Sequence, residues 1–244
     1  MKITVYGNNA SYPAANGACS CYLLEIDGRK ILIDMGNGSL TKLQQKIELS
    51  EVNLIIISHL HFDHFGDLFC AKYQLETRKA YGVPIGRIPL YIPALPAWAY
   101  QELSSNDVFE IVSIRDGMNI VLFNGLVNAS FIAVRHLVES YGMRFKNCFK
   151  TFAYTGDSGL CPQLVTIARE ADLFLCEATY PTNDLSEESH HLSAKSAAEI
   201  SLKANVKNLV LTHYHPSEKS DIYNAAKGIF VNTTLSEILH SYEI

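Results

Sequence analysis

Apolar and polar positions along the chain switch repeatedly between a period of two and a period near three and a half, which predicts strands interleaved with helices. Residues 1–6 alternate as a strand does, and a loop rich in small and turn-forming residues follows over 7–17. Residues 21–26 and 30–34 flank Asp27-Gly28, a hairpin signal. Helical periodicity runs over 39–47, a buried strand over 54–58, and a second helix from Gly66 to about Tyr81.

The remainder continues in the same manner without internal repeats. Strands are expected at 90–92, 109–113, 120–123, 127–134 and 149–154, helices near 96–103 and 161–171, and a second hairpin turn at Asn124-Gly125. A strand over 173–177, a helix capped by Ser193 and running from Ala194 to about Ala204, and a buried strand over 209–212 complete the pattern. Mixed strands with helices between them imply sheets covered by helices, an α/β (α+β) class.

Composition narrows the picture. The 244 residues are 48% hydrophobic and 18% charged, enough apolar material for a large core. No linker or low-complexity stretch divides them, so a single domain spanning 1–244 is expected. No apolar run approaches the roughly 20 residues of a membrane helix, and the strand-like N-terminus lacks the longer apolar region of a signal peptide. A soluble, cytoplasmic protein is the expectation. The six cysteines are scattered without a C-x-x-C pair, which suggests reduced, mostly buried thiols rather than a zinc ribbon or redox motif. A net charge of -5 argues against a broad nucleic-acid groove; the short set Arg144, Lys146 and Lys150 could form a local basic patch, but an ordinary solvated hairpin is the favoured reading.

Chemistry is concentrated after residues 54–57. His59-Leu60-His61-Phe62-Asp63-His64 places four metal-capable side chains within six residues at a strand-to-helix junction. Imidazole is the commonest ligand for zinc-like metals and a carboxylate completes the set, with two adjacent metals in geometric reach. His136, Asp157 and His213 each follow a predicted apolar strand as well. One histidine after a strand is a weak signal, but functional residues gather where strand ends meet loops, and four such ends supply one expected site.

The H-x-H-x-D-H signature formed by His59, His61, Asp63 and His64 resembles that of the metallo-β-lactamase superfamily, and the resemblance covers nearly the whole chain. It implies a four-layer αββα sandwich with a two-metal site at one edge of the sheets. Carried over by motif, His59, His61 and His136 would hold one ion and Asp63, His64 and His213 the other, with Asp157 bridging and Asp34 supporting the ligand loop from behind. Zinc suits this donor set, while manganese and iron are also accommodated. Two divalent ions sharing an oxygen lower the pKa of a bridging water, so a hydroxide is available at neutral pH and hydrolysis is the expected reaction.

Cys176-Glu177-Ala178-Thr179, His191-Leu192-Ser193-Ala194 and residues 209–213 look like the ribonuclease Z and phosphodiesterase branch of that superfamily. The resemblance makes Asp63, Glu177 and His191 the catalytic residues. Glu177 would orient His191, which would donate a proton to the leaving oxygen as hydroxide attacks phosphorus. His190 is expected to be a solvent-facing neighbour of His191, and His215 a loop histidine near the rim. The chain departs from ribonuclease Z in three places. Only residues 137–156 separate His136 from Asp157, enough for a hairpin but not for a tRNA-binding arm. Phe62 stands where glycine is frequent, and Cys176 replaces the first histidine of its box.

The resemblance thus implies a homodimeric two-metal phosphodiesterase acting on a small phosphodiester or other ester, with RNA less favoured. Three alternatives stand beside it: a ribonuclease Z cleaving the tRNA 3′ end, a hydrolase of another ester or lactone, and a metal-binding sensor without turnover.

Overall fold

The computed structural model describes residues 1–105, 107–182 and 189–244. They divide into two compact units. The first comprises Met1–Asn8, Tyr12–Ile114 and Glu237–Glu243; the second comprises Asn9–Ser11, Arg115–Ser236 and Ile244.

The first unit contains β1 (Lys2–Gly7), β2 (Cys21–Ile26), β3 (Arg29–Ile33), α1 (Ser39–Leu43), β4 (Leu54–Ile56), α2 (Phe62–Ala80), β5 (Ile88–Ile92), α3 (Ala97–Ser104), β6 (Phe109–Ser113) and the final strand β14 (Ser241–Glu243). Its seven strands are ordered β14-β1-β2-β3-β4-β5-β6. Neighbours are antiparallel as far as β3, and parallel from β3 to β6. The hairpin read from Asp27-Gly28 forms, with both turn residues at positive φ, 46° and 78°. Leu23, Leu32, Ile55 and Leu90 join the core under the helices, while Leu24, Ile31, Ile33 and Ile56 are buried too. These strands are therefore apolar on both faces, as parallel strands usually are.

Helix α2 begins four residues earlier than its periodicity predicts, at Phe62 instead of Gly66. The polar run of the motif hides the first turn, where Asp63 sits favourably at the positive end of the helix dipole. Phe65, Leu68, Ala71 and Leu75 form its buried stripe, and full burial of each large member contributes about 2 kcal/mol. Arg78 and Lys79 suit the C-terminal end, and Gly82 at φ 84° stops the helix.

In the second unit lie β7 (Asn119–Leu122), β8 (Val127–Ala133), β9 (Tyr141–Lys146), β10 (Thr151–Tyr154), α4 (Gln163–Ala168), β11 (Leu173–Glu177), α5 (Ala194–Lys203), β12 (Asn208–Thr212), α6 (Lys219–Lys227) and β13 (Thr233–Leu235). Strand order is β13-β12-β11-β10-β9-β8-β7, antiparallel from β7 to β10 and parallel from β10 to β13. Phe174, Cys176, Leu209 and Leu211 form a core with Leu164, Ile167, Ala197, Ile200 and Ile222 of the three helices. Ser193 caps α5 as predicted, accepting from the Ser196 amide. Residues between His136 and Asp157 form the β9–β10 hairpin.

Candidate active site

In the first unit the chain leaves β3 through Asp34, which adopts φ 57°, and runs back along the segment after β4. Backbone bonds fasten the two together: Asp34 N to Ile56 O at 2.9 Å, Met35 N to His64 O at 2.6 Å and Asp67 N to Met35 O at 3.0 Å. The carboxylate of Asp34 is fully buried. It accepts from Ser58 N at 2.6 Å, Ser58 Oγ at 2.9 Å and His64 Nδ1 at 2.8 Å. His59 Nδ1 lies 3.1 Å from Ser58 Oγ, and His59 Nε2 lies 3.2 Å from His61 Nδ1.

The second unit has its own cluster where strands end. Register places Glu177, the last residue of β11, opposite Thr212, one residue before His213. Asp157 follows β10, which pairs with the same β11. Glu177 is fully buried; its Oε1 accepts from the Ser158 amide at 2.7 Å and lies 3.2 Å from His191 Nδ1. Its Oε2 accepts from Thr179 Oγ1 at 2.7 Å. Thr179 Oγ1 also lies 3.0 Å from His213 Nδ1, while His213 Nε2 lies 3.2 Å from Asp157 Oδ2. His136 Nδ1 donates to the His190 carbonyl at 2.9 Å. Atoms of His136, Asp157 and His191 lie within 4.8 Å of one another, and so do atoms of Glu177, His191 and His213.

Proton bookkeeping in both clusters follows the same logic. A carboxylate only accepts, so the single hydroxyl proton of Ser58 goes to Asp34 and that of Thr179 to Glu177. Each hydroxyl oxygen then accepts from a histidine Nδ1–H, His59 in one unit and His213 in the other. In the neutral rings Nε2 is then the lone-pair nitrogen, the form a metal ligand needs. His64 and His136 reach the same state through Asp34 and the His190 carbonyl. In the neutral ring the lone pair of His213 Nε2 faces Asp157 Oδ2 at 3.2 Å. Two ligand atoms on one tetrahedral zinc are about 3.3 Å apart. Both 3.2 Å contacts therefore fit a shared cation, and the nitrogen and oxygen donors suit a divalent ion.

Every sequence-predicted site residue falls in one of these clusters: Asp34, His59, His61, His64 and Asp63, whose Oδ2 lies 3.9 Å from His64 Nε2, in the first, and His136, Asp157, Glu177, His191 and His213 in the second. Sequence reasoning missed Ser58, Ser158 and Thr179. The signal was their position beside motif residues, but which hydroxyl matters depends on the register. His190 is half-buried instead of solvent-facing, its ring edge-on to that of His136 at 6.4 Å. The ring of His215 closes on its own turn, with Nδ1 2.7 Å from Ser217 Oγ.

Arg144 does not join a basic patch: Nη1 donates to the carbonyls of Ile167 and Arg169 at the end of α4. Lys150 lies 3.5 Å from Asp172. Cys19, Cys21 and Cys176 are buried, and burial pushes the Cys19 thiol up to about 12. Cys70 and Cys148 are exposed, contrary to the expectation of mostly buried thiols, because they occupy the outer side of α2 and the β9–β10 turn.

Comparison with known proteins extends the picture. The family model for the β-lactamase superfamily domain matches residues 29–214. An uncharacterized protein of Mycobacterium leprae, ML1173, is 32% identical, over 94% of this chain and 84% of its own length. The ribonuclease Z of Archaeoglobus fulgidus is 25% identical, over 100% of this chain and 98% of its own. Among solved structures, the metallo-β-lactamase fold protein YhfI of Bacillus subtilis superposes with a TM-score of 0.92 at 24% identity, covering 100% of this chain and 99% of that one. The fold is thus the metallo-β-lactamase fold, with two mixed sheets flanked by helices.

Proposed function

We propose that this chain, which belongs to the β-lactamase superfamily and is a metallo-hydrolase, cleaves phosphodiesters. The observation that carries this reading is the Glu177–His191 pair, 3.2 Å apart beside lone-pair donors suited to metal. A carboxylate also orients the proposed ligand His64, so metal-dependent turnover, not the pair alone, separates this reading from a metal-binding sensor. The proposed ligands are His59, His61 and His136 for one ion and Asp63, His64 and His213 for the other, with Asp157 shared. Zinc is the proposed metal, and a cytoplasmic homodimer the proposed state.

When bound, two divalent ions supply an activated water and stabilise charge on a phosphoryl oxygen. The chain's own part is proton delivery and orientation. Glu177 is held in place by the Ser158 amide and the Thr179 hydroxyl, and it fixes His191 through Nδ1. The opposite nitrogen, Nε2, is then the proton donor to the leaving oxygen. With its side chain 21% exposed, the ring remains accessible from solvent while its partner is fully buried.

Ribonuclease Z activity is the second reading, favoured by the full-length similarity to the Archaeoglobus protein. The short β9–β10 hairpin speaks for a smaller substrate. The test is elemental analysis of purified protein combined with hydrolysis of bis-p-nitrophenyl phosphate. About two divalent ions per chain and metal-dependent turnover are expected. Asp157→Ala should lose metal from both positions, and unchanged content would remove its bridging role.

A further inference from the structure

Phe62 separates two of the proposed ligands, His61 and Asp63, yet its ring is 61% exposed. One turn further along α2, Phe65 is fully buried, and the two rings stack at 5.4 Å with 15° between their planes. One face of Phe62 thus rests on the core and the other is open to water. Trp98 of α3 lies 6.2 Å from Phe62 and is itself 51% exposed. Its indole stacks on Phe69 at 6.3 Å and 15°, which fixes its orientation before anything binds. Exposed apolar rings that adjoin one another mark a binding surface, since leaving them in water forgoes the stabilisation that burial gives.

We propose that Phe62 and Trp98 form an aromatic platform on which a nucleobase of the substrate stacks, so that the substrate is a nucleotide phosphodiester. The proposal rests on the phosphodiesterase reading above. Its occupant is argued from position: Phe62 lies between the proposed ligands His61 and Asp63 along the chain, and its exposed ring is the apolar surface offered beside them to a group carried on phosphorus. A flat, rigid, largely apolar surface favours any planar ring through its π-face, so stacking is expected to be tolerant of base identity.

The chain has a single tryptophan, so the fluorescence of Trp98 reports on the platform directly. Thymidine 5′-monophosphate should quench it saturably in the metal-loaded protein, and 2-deoxyribose 5-phosphate, which lacks only the base, should not. Phe62→Ala should weaken thymidine monophosphate binding about 10-fold, while Phe62→Tyr keeps it. In turnover, thymidine 5′-p-nitrophenyl phosphate should be preferred over methyl p-nitrophenyl phosphate, mainly through KM, because the leaving group is the same. Equal quenching by both phosphates, or thymidine monophosphate affinity unchanged in Phe62→Ala, overturns the platform. So does a dimer that dissociates in Phe62→Ala with nucleotide affinity unchanged, which makes this face an interface between copies. Turnover of both esters without preference overturns the platform alone. Turnover of neither by metal-loaded wild type overturns the phosphodiesterase reading, and the substrate role with it.

Discussion

Asp34 Oδ2 lies 2.8 Å from His64 Nδ1, with both side chains fully buried. The same carboxylate holds the Ser58 amide and hydroxyl, so one residue sets the orientation of a histidine and the shape of the loop that carries it. Asp34→Asn keeps the size but turns one accepting oxygen into a donor, facing either Ser58 or the His64 N–H. Metal affinity should fall about 10-fold to 100-fold, the usual effect of losing such a partner. Stability of the metal-free protein should fall by about 1 to 3 kcal/mol through a buried mismatch. Chelator competition and thermal unfolding measure the two separately, and wild-type metal affinity in the variant would deny Asp34 its orienting role.

Gly36 makes this arrangement possible by leaving room. A Cβ there would lie 1.9 Å from the carbonyl oxygen of Asp63 and 2.7 Å from Cys19 Cβ. The nearer contact is backbone, which no rotamer change relieves. Gly36→Ala should therefore displace the first turn of α2, at a cost of about 3 kcal/mol or more, and weaken metal binding as well. An alanine variant with unchanged melting temperature and metal content would mean the loop yields more easily than its hydrogen bonds suggest. Gly86, where nothing lies within 4 Å and the backbone is outside the left-handed region, is the control for a glycine substitution away from the site.

What was legible in the sequence follows local strength of signal. The Asp27-Gly28 hairpin, the strand over 173–177 and the Ser193 cap announce themselves through turn chemistry, apolar runs and capping. Strand β9 does not, because Gly142 and Arg144 break its pattern for tertiary reasons. A Cβ at 142 would meet Ile167 Cδ1 at 2.3 Å, and Arg144 reaches across to the carbonyls closing α4. Helix α6 and strands β13 and β14 also went unread, the two strands being only three residues long. In the clusters, motif spacing exposed the histidines and carboxylates. Thr179 stayed hidden, since its value depends on β11 and β12 pairing with Glu177 opposite Thr212.

Separating ligation from proton donation requires a substrate series. His191→Ala should keep near wild-type metal content while kcat on a poor leaving group falls by roughly 10²-fold to 10⁴-fold. For p-nitrophenolate, which leaves without a proton, the loss should be much smaller. His213→Ala should lose metal instead, because its Nε2 is a proposed ligand atom. Equal losses in His191→Ala across leaving groups would take the acid role away from His191.

Substrate size is the remaining discriminator between the two functional readings. The interval between His136 and Asp157 holds the β9–β10 hairpin, whose turn exposes Phe149 and Cys148 and whose Arg144 is committed to α4. Such a hairpin cannot grip a distant part of tRNA, and remote contacts are what would lower the barrier for a large substrate. The net charge of -5 offers no general electrostatic substitute. A small phosphodiester should therefore show a larger kcat/KM than precursor tRNA, measured at one moderate ionic strength with the same metal. Efficient, accurate cleavage of precursor tRNA at its 3′ end, together with negligible turnover of small diesters, would reverse the order of the two readings.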